Sequence, residues 1–461
     1  VTGQSDKLGT GANYLTIKYD KDGNTVWTAE YDGADHMDDI PTSIKVDANG
    51  NVYVTGKSAS ANNGFDFLTV KYNSAGIQQW ALRLNSTSNY DDIANDLSID
   101  VNGNVYVCGN QGAGSALIKY SASGTQTWLK KIENLGDWYT KFKKVVIANS
   151  GSIEVLCEYG NASVIAPVVQ AEVYHFNASN GTYTFSYWST VLTGVNNPIP
   201  VDFVSNSAGE SFVCAYNQNG TKKNIYVFSS ISNVTTFSSF VASGTANSFP
   251  SQIKLDNSGN VYVVGYTDIN STSTEDMNYI TLKFNSSGVQ QWMKTYGDAG
   301  EDHAIDLAFS SGSSPDVYIT GYTTNTQGNK DITSVKYNNN GVLQTSWTQT
   351  NSSQDNVDDV PTTIKTDAYN NVLIAGYSGT LNAEDYTTIK YINNTFSPVI
   401  TWVALNTFSA TTGDAYQWYY NNNLMPGANQ QTLNTSATGD GSYYCLVTQY
   451  CCSYKSNTLS V

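Results

Sequence analysis

Residues Ser43–Gly56 read SIKVDANGNVYVTG, and the repetition of this stretch decides the fold. Asp47-Ala48-Asn49-Gly50-Asn51 separates two β-rich runs. Gly and Asn at the tip tolerate positive φ, so the runs form a tight hairpin. Val52-Tyr53-Val54-Thr55 is apolar or small on both pleat faces, as expected of a strand held between two neighbouring sheets. Upstream, Leu15-Thr16-Ile17-Lys18-Tyr19 alternates apolar with polar residues and predicts a half-exposed strand. The strand after it carries Trp27, with counterparts at Trp80, Trp128, Trp292 and Trp347, and its polar alternates suit an outer edge.

The aromatic residue closing the third strand recurs at Tyr19, Tyr72, Tyr120, Phe176, Phe228, Phe284, Tyr337 and Tyr391, with spacings of 53, 48, 56, 52, 56, 53 and 54 residues. A fixed period of this size marks a repeat architecture. One unit is too short to hide its own apolar surface, so it must stack on copies of itself. Four short antiparallel strands, graded from buried to exposed, make a propeller blade. Inner strands are expected to begin near residues 43, 96, 145, 201, 252, 304 and 362, and Ile44, Val46, Val52, Val54, Ile253, Leu255, Val261 and Val263 are expected to be fully buried between blades. Second and third strands occur eight times if Val1-Thr2-Gly3 is a truncated second strand. The sequence therefore predicts an all-β propeller over residues 1–397, of eight blades, with seven as the alternative; a solenoid is the weaker rival. The opening on Val1 reads as a chain cut inside a repeat, with any signal peptide upstream.

The phrase resembles the bacterial β-propeller repeat called SBBP, a relative of NHL-type blades. Asp47–Gly56, Asp100–Gly109 and Asp256–Gly265 carry the resemblance, which covers residues 1 to about 395 and weakens around residues 176 and 228. It implies an extracellular or surface-attached bacterial protein without shared catalytic residues.

The period stops at Asn393–Pro398. Beyond it, Tyr416-Gln417-Trp418-Tyr419 and Gly441-Ser442-Tyr443-Tyr444-Cys445 resemble an immunoglobulin-like sandwich, with Tyr443 placed as in a tyrosine corner. The Ig-like modules of secreted Bacteroidetes proteins are the nearer resemblance, and residues 398–461 are expected to form one. No Cys precedes Trp418 in this segment, so the usual inter-sheet disulfide cannot form. Val399–Val403 is alternatively the outer strand missing from the last blade.

Net charge is −16, charged residues are 13% of the chain, and Arg83 is the single arginine. That field repels phosphate backbones and anionic lipid, so nucleic acid is excluded as a partner. No run approaches the roughly 20 apolar residues of a membrane span, which excludes membrane insertion by a helix. Cys108, Cys157 and Cys214 read as one small-residue packing slot, shared with Thr55, Val264, Thr320 and Ala375. Cys445, Cys451 and Cys452 are close enough for one short disulfide. His175 reads as a solvated strand residue, and no Ser or Cys nucleophile stands in a spaced set with His36, His175 or His303. Asp20-Lys21-Asp22-Gly23-Asn24 opens like an EF-hand loop but has Tyr31 at the twelfth position, so a hairpin turn is expected.

The candidate site is a set of acidic turns. Asp38-Asp39, Asp91-Asp92, Glu301-Asp302 and Asp358-Asp359 each precede an inner strand by a few residues. Equivalent loops lie on one face of a propeller, so the pairs are expected on one rim. They read first as loop caps that accept backbone N–H bonds, and second as a ligand or calcium site. No other cofactor is called for. The expected function is a secreted or cell-surface recognition protein, monomeric, binding a polysaccharide or a protein. The alternatives are a polysaccharide-active hydrolase or lyase, whose two carboxylates would come from this rim, and a purely structural surface module.

Overall fold

The computed structural model describes residues 1–7, 11–61, 64–86, 90–134, 136–148, 151–161, 168–188, 197–217, 223–229, 238–240, 247–268, 276–298, 300–352, 357–380, 383–392, 399–404, 406–436, 441–449 and 452–460. Two compact units emerge, Val1–Lys18 with Trp27–Lys390, and Tyr19–Val26 with Tyr391–Val461.

Eight antiparallel sheets follow one another along the first 391 residues, and neighbouring strands in each sheet are neighbours in sequence. Sheets 2 to 7 have four strands, in the order inner, second, third, outer. In sheet 2 these are Asp39–Val46, Val52–Ser60, Gly64–Tyr72 and Gln78–Leu84; in sheet 6 they are Ser248–Leu255, Val261–Asp268, Met277–Phe284 and Gln290–Tyr296. Sheet 1 holds Thr2–Lys7, Gly11–Tyr19 and Thr25–Tyr31, which are second, third and outer strands. Sheet 8 holds Asp358–Thr366, Val372–Thr380 and Ala383–Tyr391, which are inner, second and third. These are propeller blades.

Two local devices recur. At the inner hairpin, the Asp47 carboxylate accepts the N–H groups of Asn49 and Asn51, each at 2.9 Å, and Gly50 turns the chain at φ 78°. Asp100, Asp256 and Asp367 do the same in their sheets. Each inner strand also carries a bulge, as between Ala94 and Asp96, and in sheets 2, 3, 6, 7 and 8 it faces a glycine of the second strand. A Cβ on that glycine would lie 2.0 Å from the Ile93 carbonyl at Gly109, the Phe249 carbonyl at Gly265 and the His303 carbonyl at Gly321. Glycine is therefore required there by space, not by φ.

Sheets pack through the inner strand, which lies on the sheet before it. Leu97 of sheet 3 packs with Tyr53 and Phe67 of sheet 2, and Leu307 of sheet 7 with Tyr262 and Val264 of sheet 6. At the rim, Trp27, Trp80, Trp128 and Trp292 each donate their indole N–H to a turn carbonyl of the next sheet, on Ser74, Ala122, Ala178 and Asn339 at 3.1, 3.4, 3.3 and 3.0 Å. The lysine paired beside each ring in the third strand reaches the same carbonyl, from Lys18, Lys71, Lys119 and Lys283. These latches join sheets 1–2, 2–3, 3–4 and 6–7.

Several expectations need correction. Val46 is 60% exposed, and Ile44 and Leu255 are only partly buried, whereas Val52, Val54, Ile253, Val261 and Val263 are buried as expected. Val46 and Ile44 belong to the inner strand that lies on sheet 1, and among the described residues no inner strand of sheet 1 covers them. Trp347 is not on an outer strand; it ends a 3-10 turn, Thr345–Trp347, and its ring meets Tyr318 edge-on. Phe228 pairs with Val213, the counterpart of Val107, so it sits two residues before the Tyr120 position. Cys157 pairs with Phe142 in front of the bulge, where sheet 5 has Ala215 and sheets 2, 3, 6, 7 and 8 have glycine, so it does not share the slot of Cys108 and Cys214. All three carry free, buried thiols.

In the second unit, Ile400–Ala404, Thr407–Ala410 and Thr432–Asn434 form one sheet, and Asn423–Leu424, Ala415–Tyr420, Ser442–Gln449 and Cys452–Lys455 another, with Leu459–Ser460 paired to Ser442–Gln449. Ile400–Ala404 pairs within this unit and not as an outer strand of sheet 8. Ile400, Phe408, Trp418, Leu433, Tyr443, Cys445 and Val447 make its core. Cys445 is a free buried thiol, and Cys451 lies outside the described residues.

Candidate functional site

The four acidic pairs are tied into the backbone in a repeating way. The first acid reaches back to the start of the preceding sheet's third strand: Asp38 accepts Ala12 N–H at 3.0 Å, Asp91 accepts Phe65 N–H at 3.1 Å, and Asp358 accepts Lys330 N–H at 3.0 Å. The second acid is buried in every pair, at Asp39, Asp92, Asp302 and Asp359. It closes its own loop: Asp39 accepts Gly33 N–H at 2.7 Å, Asp92 accepts Ser86 N–H at 2.6 Å, and Asp302 accepts Asp298 N–H at 3.0 Å. Asp92 and Asp302 also accept from Gly112 at 2.6 Å and Thr324 at 3.0 Å. Glu301 differs, since its backbone carbonyl takes the Thr324 hydroxyl at 2.6 Å. The chemistry needs a short carboxylate here, because two backbone donors must converge on one buried group. Burial still pushes Asp302 up to about 6. Among the described residues, no three His, Cys, Asp or Glu side chains gather as a metal-holding group.

The remaining sequence candidates disperse. His36 has φ 52° and faces Asp32 at 2.7 Å in an exposed turn. His175 lies 3.5 Å from the buried carboxylate of Glu154, so it is an interior partner and not simply solvated. Asp20 caps its own turn through the N–H groups of Asp22 and Asn24, both at 2.8 Å.

His303 is different, and it leads to a feature not picked out in the sequence. Its ring stacks on Tyr266 at 3.8 Å and 1°, and its Nδ1 meets the Tyr322 hydroxyl at 2.8 Å. Tyr266 stacks in turn on Phe249 at 5.2 Å, and Phe249 meets Tyr216 edge-on at 5.3 Å. The row Tyr216, Phe249, Tyr266, His303, Tyr322 thus crosses sheets 5, 6 and 7 without a break. Phe249 pairs with Tyr266, and His303 with Tyr322, at the start of the inner strand and the end of the second. That is the end of the sheets where the acidic turns lie. Burial, with the nearby Lys330 ammonium, holds His303 at about 4, so the ring is neutral at ordinary pH. Lys330 itself lies 4.6 Å over the Tyr322 ring.

At sheet 4 the same position is ionic. Glu158 is the counterpart of these tyrosines, and Lys143 at 2.7 Å and Lys141 at 3.4 Å pair with it. Tyr139 donates its hydroxyl to Glu158 at 3.2 Å, and Lys141 covers the Tyr139 ring at 4.7 Å. One end of the propeller therefore presents a half-buried aromatic row bordered by lysines. The sequence signal was available: a tyrosine follows the bulge-facing residue at Ala215-Tyr216, Gly265-Tyr266, Gly321-Tyr322 and Gly376-Tyr377.

A family model agrees with this fold. Residues 79–110 match the family model for the beta-propeller repeat SBBP, from the Trp80 strand through the Asp91-Asp92 turn to the second strand of sheet 3. No curated protein matches the chain. Among solved structures, the polysaccharide lyase Uly1 is 10% identical over 76% of this chain and 89% of its own, with a TM-score of 0.47. Sqt1 from Chaetomium thermophilum is 10% identical over 75% and 82%, with a TM-score of 0.45. A protein from Lactobacillus plantarum is 13% identical over 78% and 98%, with a TM-score of 0.45. Among the described residues, no helix is long and apolar enough to cross a membrane. The chain carries an SBBP-type repeat, and its run of three- and four-stranded sheets is a β-propeller.

Proposed function

We propose that this protein is an extracellular or cell-surface recognition protein whose propeller end binds a polysaccharide. The observation that carries this reading is the aromatic row Tyr216, Phe249, Tyr266, His303 and Tyr322. Half-buried rings with polar tips offer flat apolar faces beside hydrogen-bonding groups, which suits the faces and hydroxyls of sugars. The row is preformed by stacking, so little side-chain freedom is lost on binding. The lysines at its two borders favour a glycan that carries some acidic groups. The acidic pairs serve this surface by holding its loops; a calcium role for them belongs to the same proposal only if the cation rigidifies those loops. The second unit, read as an Ig-like module, acts as a spacer or anchor, and the protein works as a monomer.

The test is binding of the full chain to immobilised polysaccharides, neutral and acidic. Tyr266→Ala and Tyr322→Ala are expected to weaken retention at least tenfold on whichever glycan binds, with melting temperature measured in parallel. Retention on no glycan, or equal retention by both variants, would overturn the reading.

A further inference from the structure

The second-strand residue that follows the bulge-facing one is Glu158 in sheet 4, Tyr216 in sheet 5, Tyr266 in sheet 6 and Tyr322 in sheet 7. Three of these belong to the aromatic row, and the fourth adjoins it, because burial and the nearby Glu158 carboxylate both raise the Tyr216 phenol. The inner strand answers in the same register. Phe249 lies opposite Tyr266, His303 opposite Tyr322, and Lys141 opposite Glu158. The pairing that adds a ring to the row in sheets 6 and 7 therefore adds an ammonium group at its sheet 4 end.

Charge is not balanced at that end. Glu158 receives Lys143 at 2.7 Å on one carboxylate oxygen and Lys141 at 3.4 Å on the other. Burial opposes its ionisation, but the two ammonium groups hold the carboxyl below its usual range. One carboxylate against two ammonium groups leaves one positive charge over, and among the described residues no other carboxylate pairs with either lysine. The surplus falls on Lys141. It is the more distant partner, its side chain is 52% exposed against 29% for Lys143, and it shares its carboxylate oxygen with the Tyr139 hydroxyl, which donates at 3.2 Å. Its ammonium lies 4.7 Å over the Tyr139 ring, an attraction that keeps the long side chain at this end of the row.

We propose that Lys141 is the anion subsite of the aromatic row, and that the ligand is an acidic polysaccharide whose carboxylate or sulfate group pairs with it; the inference rests on the polysaccharide-binding reading of the row. In the complex Lys143 keeps Glu158 as a one-to-one pair. Lys141 turns to the anion of the ligand, while the neighbouring sugars lie along Tyr216 and Tyr266. A ligand that touches both Lys141 and Tyr266 spans two sheet-to-sheet steps, each on the order of 10 Å, so an oligosaccharide and not a single sugar is recognised. The net charge of −16 works against an acidic polymer at long range. That repulsion is screened beyond about 8 Å at physiological ionic strength, whereas direct contact with Lys141 is not. Selectivity is therefore a contact effect, and Glu158 sets its strength by competing for the same ammonium group.

The probes are a soluble polyuronate and its methyl ester, which carry the same rings with and without charge, and a sulfated glucan with its unsulfated parent. Each is titrated into the full chain by calorimetry. The charged member of a pair is expected to bind about fivefold tighter than the neutral one, the size of a half-exposed ion pair. The pair that shows the difference tells a carboxylate ligand from a sulfate ligand. Lys141→Met is expected to bring the ratio close to one, and as an exposed substitution it should leave the melting temperature nearly unchanged. Glu158→Gln frees both ammonium groups and is expected to raise the ratio by about a further threefold, a direction that a merely structural carboxylate would not give. Equal binding of charged and neutral members, both lost in Tyr266→Ala, would overturn this inference and leave the polysaccharide reading standing. Binding of none of the four would overturn both. A folded Glu158→Gln variant that binds the charged member more weakly would overturn the inference as well.

Discussion

The junction between sheets 6 and 7 and that between sheets 8 and 1 are built from the same repeat, yet they differ in what covers them. In the first, Val261, Tyr262, Val263 and Val264 are buried because Leu307 and its inner strand lie across them, and Trp292 latches the rim. In the second, where Tyr386 meets the Leu15 carbonyl at 3.5 Å, Val372 and Ile374 of the matching strand are still buried, but Leu373, Ala375 and Gly376 are partly exposed and Tyr377 is exposed, as is Val46 beyond sheet 1. Burial at the Val264 and Gly265 positions of a second strand is therefore set by the next sheet's inner strand, whereas the Val261 and Val263 positions are buried in both junctions. This is the nearest-neighbour energetics of a repeat protein, in which interface terms dominate the stability of a unit.

The largest effect should separate the two junctions cleanly. Val264 and Ala375 hold the same place in the repeat, opposite the residue after the bulge. Val264→Asp places an unpaired carboxylate in a covered core, and is expected to cost at least about 4 kcal/mol in chemical denaturation. Ala375→Asp is expected to cost under about 1 kcal/mol, because its carboxylate keeps water. Equal losses would mean that coverage does not distinguish the junctions.

The bulge glycines sharpen the comparison by ignoring it. A Cβ at Gly265 would lie 2.0 Å from the Phe249 carbonyl, and one at Gly376 would lie 2.2 Å from the Val360 carbonyl. Both clashes fall within a single sheet. Gly265→Ala and Gly376→Ala are therefore expected to cost similar amounts, about 3 kcal/mol each by overpacking. A mild effect at Gly376 alone would show that sheet 8 relaxes where sheet 6 cannot.

Smaller again is the rim. Trp292→Ala removes a partly buried ring and its bond to the Asn339 carbonyl, at an expected cost of about 2 kcal/mol. Trp347→Ala removes a partly buried ring that ends a 3-10 turn instead of sitting on an outer strand and meets Tyr318 edge-on, and is expected to cost about half as much. The reverse order would discard the latch.

The period, the Asp-led hairpins and the graded strands were legible because turn chemistry and burial pattern are local properties of the chain. So were the acidic pairs, although their donors, such as Phe65 for Asp91, come from another repeat and leave no local mark. Val46 was misjudged for the same reason: its cover is a neighbour's strand, not its own alternation. Trp347 matched the period in number, yet the chain there forms a 3-10 turn before a short strand, Gln349–Asn351. The aromatic row was readable as a recurring tyrosine, but its stacking on Phe249 and His303 depends on which residue the next sheet presents.

The smallest effect is a pH dependence within the aromatic row. His303, held at about 4, stays neutral in the fold, while an unfolded chain protonates it below its usual 6.5. Its contribution to stability is complete above about pH 6.5 and is lost as pH falls toward 4. Asp302, raised to about 6, works in the opposite sense, its contribution fading as pH rises through that value. Removing the first by His303→Gln should make the variant gain on the parent between pH 7 and pH 5. A melting-temperature difference that is constant across that range would contradict the buried neutral ring.

Native-state hydrogen exchange, read by mass spectrometry, compares the two junctions without any mutation. Val261–Asp268 and Val372–Thr380 are both central strands hydrogen-bonded on two sides, so backbone pairing alone predicts equal protection. Coverage by a neighbouring inner strand predicts slower exchange in Val261–Asp268, by a factor on the order of a hundred, because only the covered strand must wait for a larger opening. Equal protection of the two strands would contradict the claim that the next sheet's inner strand governs the stability of each blade.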